Sequence, residues 1–546
     1  RERQPYRLPS NFHTMTARQK RDARLRMVRD QPERKSSIFE TASLLAFLVS
    51  VKVRTLAFVK VRKLTELVAK YTKDILLNNS HTPNLANDVC SYRAGYLPEH
   101  RKELEKRIFN QEMVGIASTN ALELGINIGN LDSVILLGFP GSISSLWQQA
   151  GRAGRKDRPA AIFFVAFDSP IDQFFMSNPE KLYNKKVENA VVEANNPYVL
   201  KMHLLCAARE LPLTNDDTTG LQRINDIDLF GGKQNVMNLI NEHIAPGNMI
   251  KIAPTLYGVH PSIDIPSRGV NIRSIDNVTI TVLHGVTNMP IDRIEQFRSY
   301  WEVHPGAIYM NQGVQFTIIK LDLDQHIAIA KPSNVKYFTS CRDHTDVNTM
   351  DRVSRSPTNS TNAYYGRVSI CTSVWGYRKQ WLSNSHIFET VPLTLPPIEY
   401  SSFGVWVDIP STVVNFIETN GCDFLGSIHG ANHILLHCLP LFVSCDRTDC
   451  GTECPSIYQE RARPLRLILY DAHPGGIGVC KRVLPLLTDL VEYGYELASS
   501  CKCKTGCPSC VLDVRCAEYN DVVDKKGAIF ILKVVLEQLK SGEEGL

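Results

Sequence analysis

The sequence predicts an α/β protein in which a doubly wound parallel sheet is followed by a winged-helix-like module and an α+β C-terminal domain. Three observations predict this class. Short β-branched runs alternate with helical stretches over residues 37–194, an apolar helical pattern follows Asn196-Pro197, and five cysteines crowd into residues 501–516. With 546 residues, 43% of them hydrophobic, the chain is too long for one core and predicts several domains.

Composition narrows the class of protein. The net charge of +5 is mild for this length, so any affinity for nucleic acid must come from local basic patches. No run of eighteen apolar residues and no signal peptide is visible, which predicts a soluble chain. The 15 cysteines are interpreted as thiols in a reducing compartment. Residues 1–36, polar and basic, are predicted to form a linker.

Residues 37–194 carry the clearest pattern. Buried parallel strands are predicted at Arg54–Val59, Val114–Ser118, Ser133–Phe139 and Ala160–Phe167. Each run is followed by an amphipathic helix or by a turn into one. Ligands of such sheets bind at the carboxyl ends of the strands, so the residues that follow these runs are candidates for function.

The segment Gln148-Gln-Ala-Gly-Arg-Ala-Gly-Arg155 lies at such a strand end. Its small residues, Gly151 among them, allow a helix to approach phosphate closely, and Arg152 and Arg155 offer planar, permanently charged donors. Arginines of this kind stabilise the charge that develops on a transferring phosphoryl group. The alternative is a solvated basic helix cap.

Two features of a complete phosphate-transfer site are missing from the sequence. No Gly-Lys-Ser/Thr loop follows a strand, and no Asp-Glu dipeptide occurs. We therefore expect the lobe that holds the β- and γ-phosphates and magnesium to lie outside this chain.

Residues 195–546 show other sequence patterns. Residues 195–253 predict a helical or winged-helix-like module, and residues 254–340, with short alternating strands, predict a compact β-barrel. The stretch 341–363 is rich in Ser, Thr, Asn and Asp and predicts a loop. Residues 341–546 otherwise return to α/β and are assigned to the C-terminal domain.

The cysteine cluster predicts a structural zinc site. Tetrahedral zinc takes four thiolates, and Cys507-x-x-Cys510 has the spacing of a zinc-binding turn. We assign Cys503, Cys507, Cys510 and Cys516 as ligands, with Cys501 as the substitute. A redox dithiol is the alternative. The loop Asp471–Gly478 has the form of a phosphate cradle, and a tight structural turn is the other interpretation.

The chain resembles the C-terminal half of the superfamily 2 DNA helicases of the fungal RecQ-four-like and bacterial mitomycin repair factor A family. The resemblance runs from about Phe39 to the end of the chain. Its motifs are Arg54-Thr-Leu-Ala-Phe-Val59, Tyr92-Arg-Ala-Gly-Tyr96, Ser118-Thr-Asn-Ala-Leu-Glu-Leu-Gly-Ile-Asn-Ile-Gly129, Gln148 to Arg155, Asn196-Pro-Tyr198, His304-Pro-Gly-Ala-Ile-Tyr309, Tyr470 to Gly478 and the terminal cysteines.

This resemblance implies a second RecA-like helicase lobe at 37–194, a winged-helix module and a zinc-binding domain. It implies ATP-driven, 3'-to-5' unwinding of DNA, single-stranded or with a 3' overhang, in nuclear DNA repair. ATP and Mg²⁺ are then shared with the missing N-terminal lobe. Catalytic roles fall to Arg152, Arg155 and Gln148, and nucleotide contacts to Gly125, Asn127 and Gly151.

DNA contacts are expected from Thr119, Arg62, Tyr92, Arg93 and Arg101, since hydroxyl, N–H and guanidinium groups bind phosphate. A helix cap is the alternative for Thr119, and plain surface charge is the alternative for the other four. The chain departs from the family in having Val61 before Arg62, where Ser is common, and Asn127, where Asp is usual. The rival function is a non-catalytic zinc-containing nucleic-acid-binding module with a degenerate motor lobe.

Overall fold

A computed structural model describes residues 36–541, except 94, 125–130, 155–158, 185, 189–191, 215–228, 271, 273–277, 356–362, 383–385, 454–464, 514–515, 517–519 and 521–522. The predicted linker 1–36 lies outside the described residues apart from Ser36. None of the helices in the described ranges combines the length and the apolar character needed to cross a bilayer.

The first domain is a five-stranded, fully parallel sheet in the order β2-β3-β1-β4-β5. Its elements are α1 (Ser37–Ser50), β1 (Thr55–Val59), α2 (Arg62–Leu77), β2 (Val89–Tyr92), α3 (Pro98–Phe109), β3 (Gly115–Ser118), β4 (Ser133–Leu137), α4 (Ile143–Ala150), β5 (Ala161–Val165), α5 (Pro170–Ser177) and α6 (Pro179–Asn184). The predicted doubly wound parallel sheet is confirmed.

Alternation along β1 explains how this sheet is covered on both faces. Ala57 and Val59 join an apolar cluster with residues of α1 and α2. Leu56 and Phe58 join a second cluster with residues of α3, α4 and α5. Because both faces are buried, the central strands consist of continuous apolar runs, which is the pattern that the sequence shows.

A small winged-helix-like module follows. It contains α7 (Pro197–Glu210), β6 (Leu213–Thr214), α8 (Lys233–Ile244), β7 (Met249–Ala253) and β8 (Leu256–Val259). The three strands form an antiparallel sheet in the order β6-β8-β7, which packs with both helices around one apolar cluster. The boundary predicted at 253/254 separates β7 from β8, which the structure pairs.

The next region is a second five-stranded sheet, β10-β9-β13-β12-β11. It comprises β9 (Thr279–His284), β10 (Pro290–Glu295), α9 (Gln296–Glu302), β11 (Ile308–Asn311), β12 (Val314–Asp322) and β13 (Ile327–Pro332). In the described residues β10 and β11 are its two edges. The sheet is therefore open, and the predicted barrel is not formed.

The C-terminal domain is built on a seven-stranded sheet with a helical layer. Its elements are β14 (Tyr337–Thr349), β15 (Ser354–Arg355), β16 (Ala363–Trp381), β17 (Ile387–Pro392), β18 (Ile398–Asp408), α10 (Ser411–Thr419), α11 (Phe424–Cys438), β19 (Cys450–Gly451), β20 (Arg466–Asp471), α12 (Val479–Val483), α13 (Leu487–Ser500) and α14 (Lys525–Lys540).

The loop predicted at 341–363 is wrong over its first half. Residues up to Thr349 belong to β14, which pairs antiparallel with the long strand β16 along its whole length, with one register shift between Arg342 and Asp343. The segment is polar because many of its side chains are only partly buried, so composition indicated a loop where backbone pairing to β16 determines a strand.

Candidate functional site

The carboxyl edge of the first sheet holds a connected polar group centred on Glu123. The Glu123 carboxylate accepts hydrogen bonds from Ser145 Oγ (2.8 Å) and Gln149 Nε2 (2.8 Å), both on α4. The Glu123 backbone carbonyl accepts a bond from Arg152 Nε at 2.8 Å and another from Nη2. The acidic residue therefore fixes both α4 and the arginine that follows it.

This geometry determines where the residues of the Gln148–Arg155 segment lie. Gln148 is exposed, and the buried glutamine that orients the helix is its neighbour Gln149. Gly151 caps α4, its N–H donating to the Trp147 carbonyl at 2.8 Å. Arg152 is half-buried at the sheet edge. Arg155 lies outside the described residues, as do Gly125 and Asn127.

A polar cleft opens beside this group at the carboxyl ends of β1 and β4. Its lining includes Lys60, Asn120, Ser145, Gln149 and Asp446. Asp446 comes from the C-terminal domain, and its carboxylate lies 3.5 Å from Lys60 Nζ. The C-terminal domain thus borders the edge where a parallel sheet binds its ligands.

Thr119 has the geometry of a cap. Its Oγ1 accepts a hydrogen bond from the Ala121 N–H at 3.4 Å, and its own N–H donates to the Tyr92 carbonyl at 3.3 Å. The backbone N–H that phosphate binding requires is therefore already in use. The structure supports the helix-cap interpretation.

Arg93 is not a surface residue. It is 1% exposed, and its guanidinium contacts Glu66 Oε1 at 3.1 Å and Asp292 Oδ2 at 2.8 Å. Tyr309 Oη lies 3.3 Å from Nη2. Glu66 belongs to the first domain, whereas Asp292 and Tyr309 belong to the second five-stranded sheet. The expectation that Arg93 binds DNA phosphate is wrong in this conformation because its charge is neutralised in a buried interface.

The other three expected phosphate contacts divide by exposure. Tyr92 is buried, and its hydroxyl donates to Glu105 Oε1 at 2.6 Å, so it is not available to DNA. Arg62 is largely buried beside Glu295, 3.5 Å away. Arg101 keeps 42% of its side chain exposed next to Glu105. Of these three, Arg101 retains the accessibility that phosphate binding needs.

Four thiols near the C-terminus converge on one point. Sγ–Sγ distances are 3.5 Å for Cys501–Cys503, 3.6 Å for Cys501–Cys507, 3.4 Å for Cys503–Cys510 and 3.7 Å for Cys507–Cys510. Tetrahedral zinc with Zn–S bonds near 2.3 Å requires sulfurs about 3.8 Å apart. The donor set and its dimensions fit one zinc ion without an open position, which is the form of a structural site.

Lys525 places a positive charge beside this cluster. Its Nζ donates to the carbonyls of Cys501 (2.8 Å) and Cys503 (2.7 Å) and lies 3.2 Å from Cys503 Sγ. Hydrogen bonds with the Cys507 and Cys510 thiols, together with Lys525, lower the pKa of Cys503. Such a thiolate is the form that binds metal.

The ligand assignment made from sequence needs one correction. Cys501, the expected substitute, completes the cluster, and Cys516 does not. Cys516 lies instead beside His429 and His433 of α11, in a separate buried group. Sequence reasoning missed both histidines. The signal available was the spacing of His429, His433 and His437, which places three imidazoles on one face of a helix.

The loop Asp471–Gly478 is a structural turn. Both Asp471 carboxylate oxygens accept backbone N–H bonds, from Ile477, Gly478 and Cys480 at 2.9 Å each. Burial raises the pKa of Asp471, and these backbone donors oppose that rise. The protein's own carboxylate thus fills the position that a phosphate needs.

Asn196 Nδ2 also donates hydrogen bonds to the carbonyls of Pro474 and Gly476 in this loop, at 3.0 and 2.6 Å.

Three family descriptions match the chain in order. The helicase conserved C-terminal domain matches residues 40–157, the winged helix domain of ATP-dependent helicase HRQ1 matches 192–275, and the MrfA Zn-binding domain matches 431–511. The last range includes Cys501, Cys503, Cys507 and Cys510 and stops before Cys516. The matches therefore support zinc at the four-thiol cluster.

Similar proteins cover nearly the whole chain. ATP-dependent helicase hrq1 of Schizosaccharomyces pombe is 33% identical over 92% of this chain, and HRQ1 of Saccharomyces cerevisiae is 31% identical over 93%. Over nearly its whole length the chain is similar to superfamily 2 helicases of the Hrq1 and MrfA type. The crystal structure of the DUF1998 helicase MrfA bound to DNA, 26% identical, superposes on 93% of the chain with a TM-score of 0.64.

These matches confirm the resemblance and the fold class predicted from the sequence. The chain spans about half the length of the curated relatives, 48% of the S. pombe helicase and 47% of the S. cerevisiae helicase. It spans 64% of the MrfA chain in the DNA complex.

Proposed function

We propose that this chain is the C-terminal half of an ATP-dependent 3'-to-5' DNA helicase that acts in nuclear DNA repair. In this proposal it supplies Arg152 and Arg155 to ATP bound on a first helicase lobe, and it contributes DNA contacts. The observation that carries the proposal is the position of Arg152. A guanidinium is held at the carboxyl edge of a parallel sheet by the Glu123 carbonyl.

That position suits an arginine that acts across a cleft between two lobes. Hydrogen bonds to the Glu123 carbonyl orient the Arg152 guanidinium at this edge, which parallel sheets use to bind their ligands. Such a charge stabilises a transferring phosphoryl group. Gln149 and Ser145 keep the Glu123 segment and α4 in register, so they are positioning residues.

The nucleotide chemistry is divided between two lobes in this proposal. The sequence holds neither a Gly-Lys-Ser/Thr loop nor an Asp-Glu pair, so ATP and Mg²⁺ are bound mainly by the other lobe. Zinc at the four-thiol cluster maintains the fold of the C-terminal domain. DNA binding is supported by the helicase family match and by the MrfA complex with DNA.

The test uses the full-length protein, with both lobes, and the substitution Arg152→Ala. We expect DNA-stimulated ATP hydrolysis to fall about a hundredfold or more while nucleotide affinity changes little. Arg155→Ala should behave similarly. Arg107→Ala, on the exposed surface of α3, is the matched control and should hydrolyse ATP normally.

Two outcomes would count against the proposal. Equal hydrolysis by wild type and Arg152→Ala would remove the catalytic role of this arginine. A full-length wild-type protein that binds DNA but shows no DNA-stimulated hydrolysis would favour the non-catalytic nucleic-acid-binding module. The 546 residues alone are expected to show no DNA-stimulated turnover, because half of the nucleotide site is contributed by the other lobe.

A further inference from the structure

A second group of metal-binding side chains lies inside the C-terminal domain, apart from the four-thiol cluster. It consists of His429, His433 and Cys516, which are 0%, 3% and 8% exposed. One donor atom from each residue lies within 4.8 Å of the others. His429 and His433 are one helical turn apart on α11, and Cys516 approaches them from the segment that follows the four-thiol cluster.

The distance between Cys516 and His429 has the value expected for shared coordination. Cys516 Sγ lies 3.6 Å from His429 Nε2. Zinc bonds of 2.0–2.1 Å to nitrogen and about 2.3 Å to sulfur, at the tetrahedral angle, place these two atoms about 3.6 Å apart. The pair can therefore bind one ion without rearrangement.

The protonation of His433 points in the same direction. Its Nδ1 lies 3.1 Å from the Val511 carbonyl, which can only accept, so Nδ1 carries the proton. Nε2 is then the nitrogen left to interact with Cys516, and the His433–Cys516 hydrogen bond is the contact that a shared metal ion would replace. An imidazole that donates one N–H to a backbone carbonyl and presents its other nitrogen is the usual arrangement around a ligating histidine.

The buried carboxylate of Asp513 also lies near the group. Asp513, 4% exposed, forms an ion pair with Arg447 at 2.5 Å and lies 3.5 Å from His437 Nε2. A divalent cation bound here would hold Cys516 as its thiolate and would compensate the charge of that thiolate. Two imidazoles and one thiolate are a borderline-soft donor set that suits zinc.

We propose that His429, His433 and Cys516 bind a second zinc ion, separate from the one held by Cys501, Cys503, Cys507 and Cys510. Three protein ligands leave a fourth position for water or another donor. Since the group is enclosed, the ion would attach the segment around Cys516 to α11 and act structurally. This goes beyond the proposed function, which requires only the four-thiol zinc.

The first measurement needs no variant. Zinc per chain is measured by inductively coupled plasma mass spectrometry on the purified 546-residue chain after extensive desalting. We expect two zinc ions per chain. A value of one would overturn the proposal and leave the three residues as a hydrogen-bonded group.

Variants then assign each ion. Cys516→Ser and His429→Asn should each lose one zinc per chain and keep the other, whereas Cys503→Ser should lose the other ion. Cys371→Ser, a partly buried thiol on β16, is the matched control and should keep both. Retention of two zinc ions by Cys516→Ser would contradict the assignment.

A spectroscopic readout covers the case in which a variant does not fold. Wild-type protein loaded with ¹¹³Cd should give two cadmium resonances, one for four sulfur donors and one for a single sulfur with two nitrogens. One resonance from a four-sulfur site alone would overturn the proposal. Circular dichroism of each variant separates loss of an ion from loss of the fold.

Discussion

Two motif arginines of the first domain occupy opposite kinds of environment. Arg152 is half-buried at the carboxyl edge of the sheet, where the Glu123 carbonyl is one of its contacts, whereas Arg93 is buried between two domains and pairs with two carboxylates. Both residues are arginines in motifs of the resembling family, and both were predicted to contact phosphate. The difference shows that a motif does not determine how deeply its arginine is buried, and burial decides whether a ligand can reach the guanidinium.

The largest expected effect on stability comes from the removal of Arg93. Arg93→Ala leaves Glu66 and Asp292 buried without their cation, so the free energy of unfolding should fall by about 3–5 kcal/mol. Chemical denaturation of the chain measures it. Arg101→Ala, on the exposed surface, should cost less than about 1 kcal/mol.

If Arg93→Ala were as stable as Arg101→Ala and instead lost DNA affinity with a weaker salt dependence, the comparison would fail. Arg93 would then belong with the phosphate-binding residues.

A pH effect of intermediate size is expected from the buried side chain of His304. Burial lowers the pKa of His304 to about 4, with Lys63 contributing. The unfolded chain therefore binds more protons between pH 6.5 and 4, and stability should fall as pH drops through that window, by up to about 3 kcal/mol.

Denaturation midpoints at several pH values would measure this slope. His304→Phe, which keeps a ring against Tyr377, should flatten it. An unchanged slope in that variant would assign the acid sensitivity to other groups.

The smallest expected effect tests how the polar group around Glu123 supports Arg152. Glu123→Ala removes the acceptor of Ser145 and Gln149, and stability should fall by about 1–2 kcal/mol. In the full-length protein ATP hydrolysis should also fall, because α4 and the Arg152 segment lose their common support. Glu112→Ala, an exposed acidic residue, is the control for both measurements.

A Glu123→Ala protein with normal stability and normal hydrolysis would show that the carbonyl contact alone positions Arg152. In that case the polar group on α4 would have no part in the difference between the two arginines.

The parallel sheet could be predicted from sequence because its central strands are continuous apolar runs whose burial on both faces requires that composition, whereas the edge strand β5, also predicted to be buried, is partly exposed. The environment of Arg93 could not. Asp292 and Tyr309 contact Arg93 across a boundary between two domains. The sequence around Arg93 does not indicate such a long-range contact. The strand β14 was missed because its polar composition reflects partial burial.

The metal site was predicted in part. Close spacing identified Cys503, Cys507 and Cys510, since a short turn brings such thiols together. Spacing could not choose between Cys501 and Cys516, because that choice depends on how the chain folds back against α11. Similarly, the two adjacent glutamines at 148 and 149 differ only in which face of α4 they occupy.

The Asp471 loop has a consequence for competition between anions. Its carboxylate is tethered to the donors that bind it, so its effective concentration at those N–H groups is about millimolar or higher. A dissolved phosphate would have to exceed that concentration and displace a ligand that never diffuses away. In a loop of this kind the protein's own carboxylate already occupies the backbone N–H donors. The glycine pattern of such a loop therefore does not indicate a site for an exchangeable ligand.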